Sequence, residues 1–482
     1  MVSDQNEPFP SSNLGKMKSC RLSQVETQNG SQKQVASAQN WRVKSSSNYE
    51  DHSIQKPFRA LQKSTKNTQK TGKYTLIWIS LSLRLSSECD TTEKPWKTSS
   101  NRSQKTSLAW EIEQFGASVI CIIDNMKIVL FTATGAENLG DELITLCEIQ
   151  SFRDIVPDIE ITLFSHDIQR TKRFLLSQKV TLEGLQFREY FPHFFRKHPL
   201  KNIKLLWETL QAIKNTDHVY IGGGGLLYGK TEEWHSPLRL WWMRAIMIRF
   251  FKKPLTYLSL GVSAWAEELK PYVGIFDTAN ITVRDKKSQE TLETLGHKSS
   301  LLPDPVLAYA GNTKTSKTIG IALRKGFLSD EMLIHVIKKL MSLGYEIILL
   351  PHSLHVIDEA SHDGYYLQDF LLPGVMTTQS IEQTLSAYKS CHIVIGMRLH
   401  SMILSVDHHI PFIGISYGQK TSSLLSELDW PYSLDKNTSA EEILQSIWEI
   451  EQNYSALSEQ LEIFHTKKKN LYLNSFKSLL WK

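Results

Sequence analysis

The sequence predicts an α/β chain of two Rossmann-like domains facing across a cleft, preceded by a disordered N-terminal extension. Three observations carry this reading. From residue 126 onward, runs of buried-strand character alternate with helical patterns, which is how βαβ units around a parallel sheet are written. The same alternation restarts after Pro303-Asp304-Pro305. Before residue 126 the chain is rich in Ser, Thr, Gln, Asn and Lys, and stretches such as 62–70 offer no apolar face to bury. The expected division is a basic extension at 1–125, a first Rossmann-like domain at 126–305, and a second at 306–482 with C-terminal helices.

The strands read in order as 127–131, 160–164, 218–221, 254–260 and 280–283, then 318–323, 346–350, 391–395 and 411–415. Helical patterns begin at Leu143 and recur at 205–214, 330–340, 380–389, 401–407 and 440–482. Ser380 and Gln383 have capping-box spacing.

Charge narrows the function classes. The net charge is +5, but the first 125 residues hold 17 Lys and Arg against 11 acids, which leaves 38 against 39 in the remainder. A nearly neutral body argues against a general nucleic-acid surface. Five scattered cysteines form no C-x-x-C pair, which points to a reducing compartment and no zinc ribbon. No run reaches the roughly 18–20 apolar residues of a membrane helix. The polar, acidic start shows no compact signal segment. A cytoplasmic protein is expected, and the extension reads as a dispensable leader, of which the sharper version is that translation starts at Met126.

The candidate chemistry gathers at strand ends. Gly396-Met397-Arg398-Leu399-His400-Ser401 follows an apolar strand and opens a helix. Its guanidinium suits phosphate or carboxylate, and its imidazole can move a proton near neutral pH. Gly222-Gly223-Gly224-Gly225 closes another strand, and bare backbone there can approach an anion. Neither a dinucleotide fingerprint nor a P-loop is present. Arg284 and Arg324 end strands where open α/β sheets bind ligands, and Lys420 adds a cation at the same edge. In the loop 135–142, Asp141 is expected to cap the following helix, or Asn138 or Asp141 to bond a hydroxylated substrate. His352 and Asp358 are candidates for hydroxyl binding; their spacing matches no common metal pattern.

In order and spacing these segments resemble the polysaccharide pyruvyl transferase family, from about Met126 to Asp429. The matching pieces are 135–142, 222–227, 283–288, Asp304-Pro305-Val306, 319–324 and 396–401. The sequence departs at Leu260-Gly261-Val262-Ser263, where the family often shows a glutamine-glycine segment. The resemblance implies a glycosyltransferase-B-like fold and transfer of pyruvate from phosphoenolpyruvate onto two hydroxyls of a cell-wall or extracellular sugar. It implies Arg398 and His400 as catalytic residues, with Arg324, Arg284, Lys420 and the four glycines around the anions of phosphoenolpyruvate. Asn138, Asp141, His352 and Asp358 would meet the acceptor, which can be lipid-linked. No cofactor, metal or nucleic acid is implied, and membrane contact would be peripheral, at the inner face. The rival readings are a nucleotide-sugar glycosyltransferase of the same fold and a non-catalytic polysaccharide-binding relative.

Overall fold

The computed structural model describes residues 126–191, 199–227, 237–262, 266–309, 311, 316–355 and 362–480, and the backbone of two short strands, Trp78–Ile79 and Val119–Ile120, paired antiparallel. Those two strands aside, the expected N-terminal extension lies outside the described residues.

The first sheet is built from β1 (Lys127–Phe131), β2 (Glu160–Ser165), β3 (Leu185–Glu189), β4 (His218–Ile221), β5 (Gly224–Leu227), β6 (Leu255–Val262), β7 (Ala279–Val283) and β8 (Ser300–Leu301). Its spatial order is β8-β7-β6-β4-β1-β2-β3, with β5 also beside β6, and every pairing is parallel. The intervening helices are α1 (Leu139–Ile155), α2 (Ile168–Ser177), α3 (Pro199–Lys214), α4 (Pro237–Phe250) and α5 (Lys286–Thr294).

The second sheet contains β9 (Thr318–Ala322), β10 (Glu346–Leu349), β11 (Val375–Thr377), β12 (Cys391–Gly396), β13 (Phe412–Ser416) and β14 (Ser433–Asp435). Its order is β11-β10-β9-β12-β13-β14, again all parallel. Its helices are α6 (Asp330–Ser342), α7 (Asp363–Gln368), α8 (Ile381–Ala387), α9 (Leu399–Asp407), α10 (Gln419–Leu428), α11 (Ala440–Gln452) and α12 (Tyr454–Leu480).

In each sheet the chain walks outward over three strands and then crosses to the other side of the first. The reversal falls between β1 and β4, and again between β9 and β12. Such switch points leave a crevice at the carboxyl ends of the strands. Two doubly wound halves of this kind make the fold glycosyltransferase-B-like, as the motif order implied.

Alternation along β1 divides the first half's interior. Ile128 and Leu130 join a core that includes α1 and the whole second half, whereas Val129 and Phe131 face a separate core under α3 and α4. The last helix returns to the first half. Phe476 of α12 meets Phe152 of α1 edge-on at 5.0 Å, and Ser151 donates a hydrogen bond to the Tyr472 hydroxyl (3.3 Å).

Several elements carry no sequence signal. The edge strands β3, β11 and β14 expose or half-expose their side chains, so no apolar run marks them. The helical pattern at 440–482 is two helices, parted at Asn453, the C-cap of α11. Ser380 caps α8, but Gln383 returns its side chain to the Gln379 amide rather than to Ser380.

Candidate active site

Helix caps single out one place in the cleft. Asn138, Asp167, Asp285, Ser329, Ser380 and Ser439 each cap a helix with a side chain. At α9 and α10 the N-cap residues are Arg398 and Gly418, and neither supplies a side-chain cap. An uncapped N-terminus presents amides and the positive end of the helix dipole to an anion. Both helices open on one cavity of about 350 Å³, through Leu399 of α9 and Gly418, Gln419 and Lys420 of α10. Arg324, Tyr417 and Thr421 complete the second half's wall, and Gly261, Val262, Asp285 and Ser288 supply the first half's. The Arg324 guanidinium lies 5.9 Å from the Tyr417 ring centre, which orients the cation. A larger hollow of about 510 Å³, lined by Lys127, Glu160 and Trp207 among others, opens at the amino ends of the strands. Ligands of this fold bind at the other end, so the cleft cavity is the candidate.

Beside it, His400 reaches across to the first half. Its Nε2 stands 3.6 Å from the Asp304 carboxylate, an ion-pair distance too long for a hydrogen bond. Arg284 Nη1 donates to the same Asp304 oxygen at 3.1 Å and is itself almost fully buried. Burial alone would raise the Asp304 carboxyl; His400 and Arg284 outweigh it and hold the acid down to about 2. Asp304 is therefore a fixed negative charge behind the imidazole. Arg284, expected among the anion-binding cations, is tied to it instead of being free in the cleft. Asp141 is raised by burial, opposed by the charges of His400, Lys420 and Arg284. Lys420 is lowered to about 8, by burial first and then by Arg284.

Glycines permit this crowding. A Cβ on Gly140 would sit 1.9 Å from His400 Nδ1, and one on Gly225 would sit 2.2 Å from Lys420 Nζ. Gly140→Ala must push the imidazole away, while alanine itself suits a helix better than glycine. We expect turnover to fall at least about tenfold with Tm shifted by only a few degrees; wild-type turnover would mean that the ring's position is unimportant.

Arg398 closes a ring of contacts between the halves. Its Nε donates to Asp363 at 3.1 Å and Nη2 to the other carboxylate oxygen. Asp363 also accepts from the amides of His352 (3.1 Å) and Ser353 (3.0 Å). This segment bridges to the first half: Leu139 N–H donates to His352 C=O (2.8 Å), Leu354 N–H to Glu137 C=O (2.9 Å), and Asn138 pairs with Ser353. Gly140 follows directly, against His400.

Three expectations change here. Asn138, not Asp141, caps α1, its Oδ1 accepting from Gly140 N–H at 3.2 Å, so Asp141 is the member of that loop left facing the cleft cations. His352 is 2% exposed, with Nε2 2.7 Å from the Tyr388 hydroxyl. Burial, with Arg398 and His400 nearby, keeps its ring well below the usual range, so it is an interior neutral imidazole rather than an acceptor contact. Asp358 lies outside the described residues. The glycine loop also differs from the expected anion nest. Gly222 N–H donates to Phe131 C=O (2.7 Å) and Gly223 N–H to the buried Glu148 carboxyl (2.6 Å). A Cβ on Gly222 would lie 2.4 Å from the other Glu148 oxygen. The group accommodated by the first two glycines is the chain's own Glu148 carboxyl.

Two acids of α1 are thereby pushed up by burial. Glu142 receives hydrogen bonds from Thr134 and from Gly135 N–H (2.6 Å), and burial still raises it to about 7. Glu148 rises from 4.5 to about 8. The folded state then holds protons that the unfolded chain has released, so stability falls as pH rises from about 4.5 to 8. Glu148→Gln, the isostere of the protonated acid, should flatten this dependence and raise Tm at pH 8 relative to pH 5. A melting series with an unchanged slope would contradict the protonated assignment.

The sequence profile described as "Polysaccharide pyruvyl transferase" matches residues 138–419. The amylovoran biosynthesis protein AmsJ of Erwinia amylovora is 22% identical over 378 residues, covering 64% of this chain and 87% of that protein. Among solved structures, the UDP-GlcNAc 2-epimerase of Neisseria meningitidis superposes with a TM-score of 0.48 at 10% identity, over 74% of this chain and 98% of its own. A glycosyltransferase from Rickettsia africae gives 0.47 at 13% identity, over 74% and 99%.

Proposed function

The chain belongs to the polysaccharide pyruvyl transferase family, and from that premise we propose that it moves the pyruvyl group of phosphoenolpyruvate onto two hydroxyls of a sugar in an extracellular or cell-wall polysaccharide. The observation that carries this is the cavity where the uncapped starts of α9 and α10 converge with Lys420 and Arg324. Phosphoenolpyruvate bears its phosphate ester and its carboxylate on one carbon, and two helix N-termini with two cations fit that pair of anions.

In the proposed reaction His400, backed by the Asp304 carboxylate, gives its proton to the methylene carbon. The enol carbon becomes electrophilic, and one sugar hydroxyl adds to it. Asp141, raised by burial and so able to hold a proton, takes the proton from that hydroxyl. The carbon–oxygen bond to phosphate then breaks, the phosphate leaves with the proton held by Asp141, and the neighbouring hydroxyl closes the ketal as its proton returns to the His400 imidazole. Each turnover yields one inorganic phosphate and needs no redox cofactor. The similarity to an amylovoran biosynthesis protein supports a polysaccharide repeat as the acceptor.

The test incubates the protein with phosphoenolpyruvate and candidate glycans while phosphate is measured. Phosphate release that requires both partners, with a mass gain on the glycan matching one pyruvyl ketal, is expected. Nucleoside diphosphate release from a nucleotide sugar, with phosphoenolpyruvate inert, would overturn the proposal in favour of glycosyl transfer.

A further inference from the structure

Two neighbouring helices of the first half leave six large apolar side chains in water. On α3 they are Leu200 (81% exposed), Ile203 (65%) and Trp207 (63%); on α4 they are Trp242, Ile246 and Phe250 (78%). The spacings i, i+3, i+7 and i, i+4, i+8 set each trio on one stripe of its helix. On α3 the stripe lies opposite the buried side, formed by Leu205, Thr209 and Ile213; on α4 it borders the buried side, formed by Leu238, Trp241, Ala245 and Ile248. The helices pack against one another, and both feed the same core under the first sheet. The two stripes therefore point the same way, outward from that sheet. Single exposed apolar residues are ordinary, but two aligned stripes make a patch that calls for an occupant.

Charge says which occupant. The segments 199–214 and 237–253 contain eight Lys and Arg and a single acid, Glu208, whereas the rest of residues 126–482 holds 30 Lys and Arg against 38 acids. Arg244 is spent inside, stacked over Tyr190 and Trp241. Lys201, Lys204, Arg249 and Lys252 are exposed. Lys214 is exposed as well, and with Glu189, Glu208 and Asp277 beside three of these cations the exposed cations outnumber the neighbouring acids five to three. A second copy of this chain placed face to face would oppose like charges across the patch. An anionic bilayer offers both missing partners: a shallow apolar layer for the aromatic stripes and negative headgroups for the cations. Among the described residues no helix is long and apolar enough to cross a membrane, so the contact is with its surface.

We propose that the outer face of α3 and α4 docks the protein on an anionic lipid bilayer, with Trp207, Trp242 and Phe250 at headgroup depth. This goes beyond the transfer reaction and stands or falls separately from it.

The full chain is sedimented with phosphatidylcholine vesicles, with and without phosphatidylglycerol, at low and high salt. Binding to the anionic vesicles that weakens with salt is expected, with little binding to phosphatidylcholine alone. Ile203→Ser/Phe250→Ser and Lys201→Glu/Lys252→Glu should each lower the partition coefficient on the order of tenfold. Their Tm and their turnover on a soluble acceptor should stay at wild-type values. Wild-type protein remaining in the supernatant with anionic vesicles overturns the proposal. So does a dimer, seen by light scattering and split by Ile203→Ser/Phe250→Ser, in a protein that ignores vesicles; that result assigns the patch to a second copy.

Discussion

Arg398→Ala is expected to abolish turnover and to destabilise the protein in the same stroke. Removing the guanidinium strands Asp363, whose side chain is 2% exposed, as an unpaired buried charge. Breaking such a pair from one side costs about 3–5 kcal/mol, readable as a lower Tm. The loss should spread, because Asp363 also holds the His352 and Ser353 amides that bridge to Leu139 and Asn138. The double variant Arg398→Ala/Asp363→Asn separates the two effects. It should recover much of the Tm and none of the turnover, since the fork at the start of α9 is still missing. Recovery of turnover along with stability would show that Arg398 acts only through Asp363 and binds no substrate.

His400→Gln should lower kcat by about 10²–10⁴ and change KM little, the signature of a lost proton transfer. A rise in KM at constant kcat would make His400 a ligand. Asp304→Asn tests the charge behind the ring. If the imidazolium is the acid, removing the carboxylate that favours it moves the alkaline limb of the kcat profile to lower pH. A purely structural Asp304 would lower stability and leave that limb in place.

Much of this was legible in the sequence because parallel strands buried on both faces are written as continuous apolar runs. β9 and β12 are of this kind, and their ends located Arg324 and Arg398 in advance. The partners of those residues were not legible. Asp304 reaches His400 from the other half of the chain, and Asp363 opens α7, 35 residues before Arg398. No local pattern encodes either pairing. Asp304 stood inside a matching segment, Asp304-Pro305-Val306, which was the available clue, but its own hydrogen bond to Val306 N–H gives it an ordinary capping role as well. The four glycines misled for a related reason. Glycine signals that something approaches the backbone closely, and the sequence alone does not say whether that is a ligand or Glu148, 75 residues earlier. Asn138 and Asp141 are both good caps, and only the pairing of Asn138 with Ser353 placed one before the other.

The return of α12 to α1 also has a consequence in time. Tyr472 is made 321 residues after Ser151, its partner. At the usual pace of synthesis the first half therefore waits roughly a quarter of a minute to a minute for the side chains that finish its interior. During that interval α1 keeps a bare apolar flank, the kind of surface that chaperones hold. Cys147 of α1, buried in the finished protein, can report this: in ribosome-stalled chains ending before Tyr472 it should react with a thiol reagent, and in released chains it should not. Protection already complete in the stalled chains would mean that the first half closes without its last helix. Birth order, as much as affinity between the halves, then decides when this molecule first becomes whole.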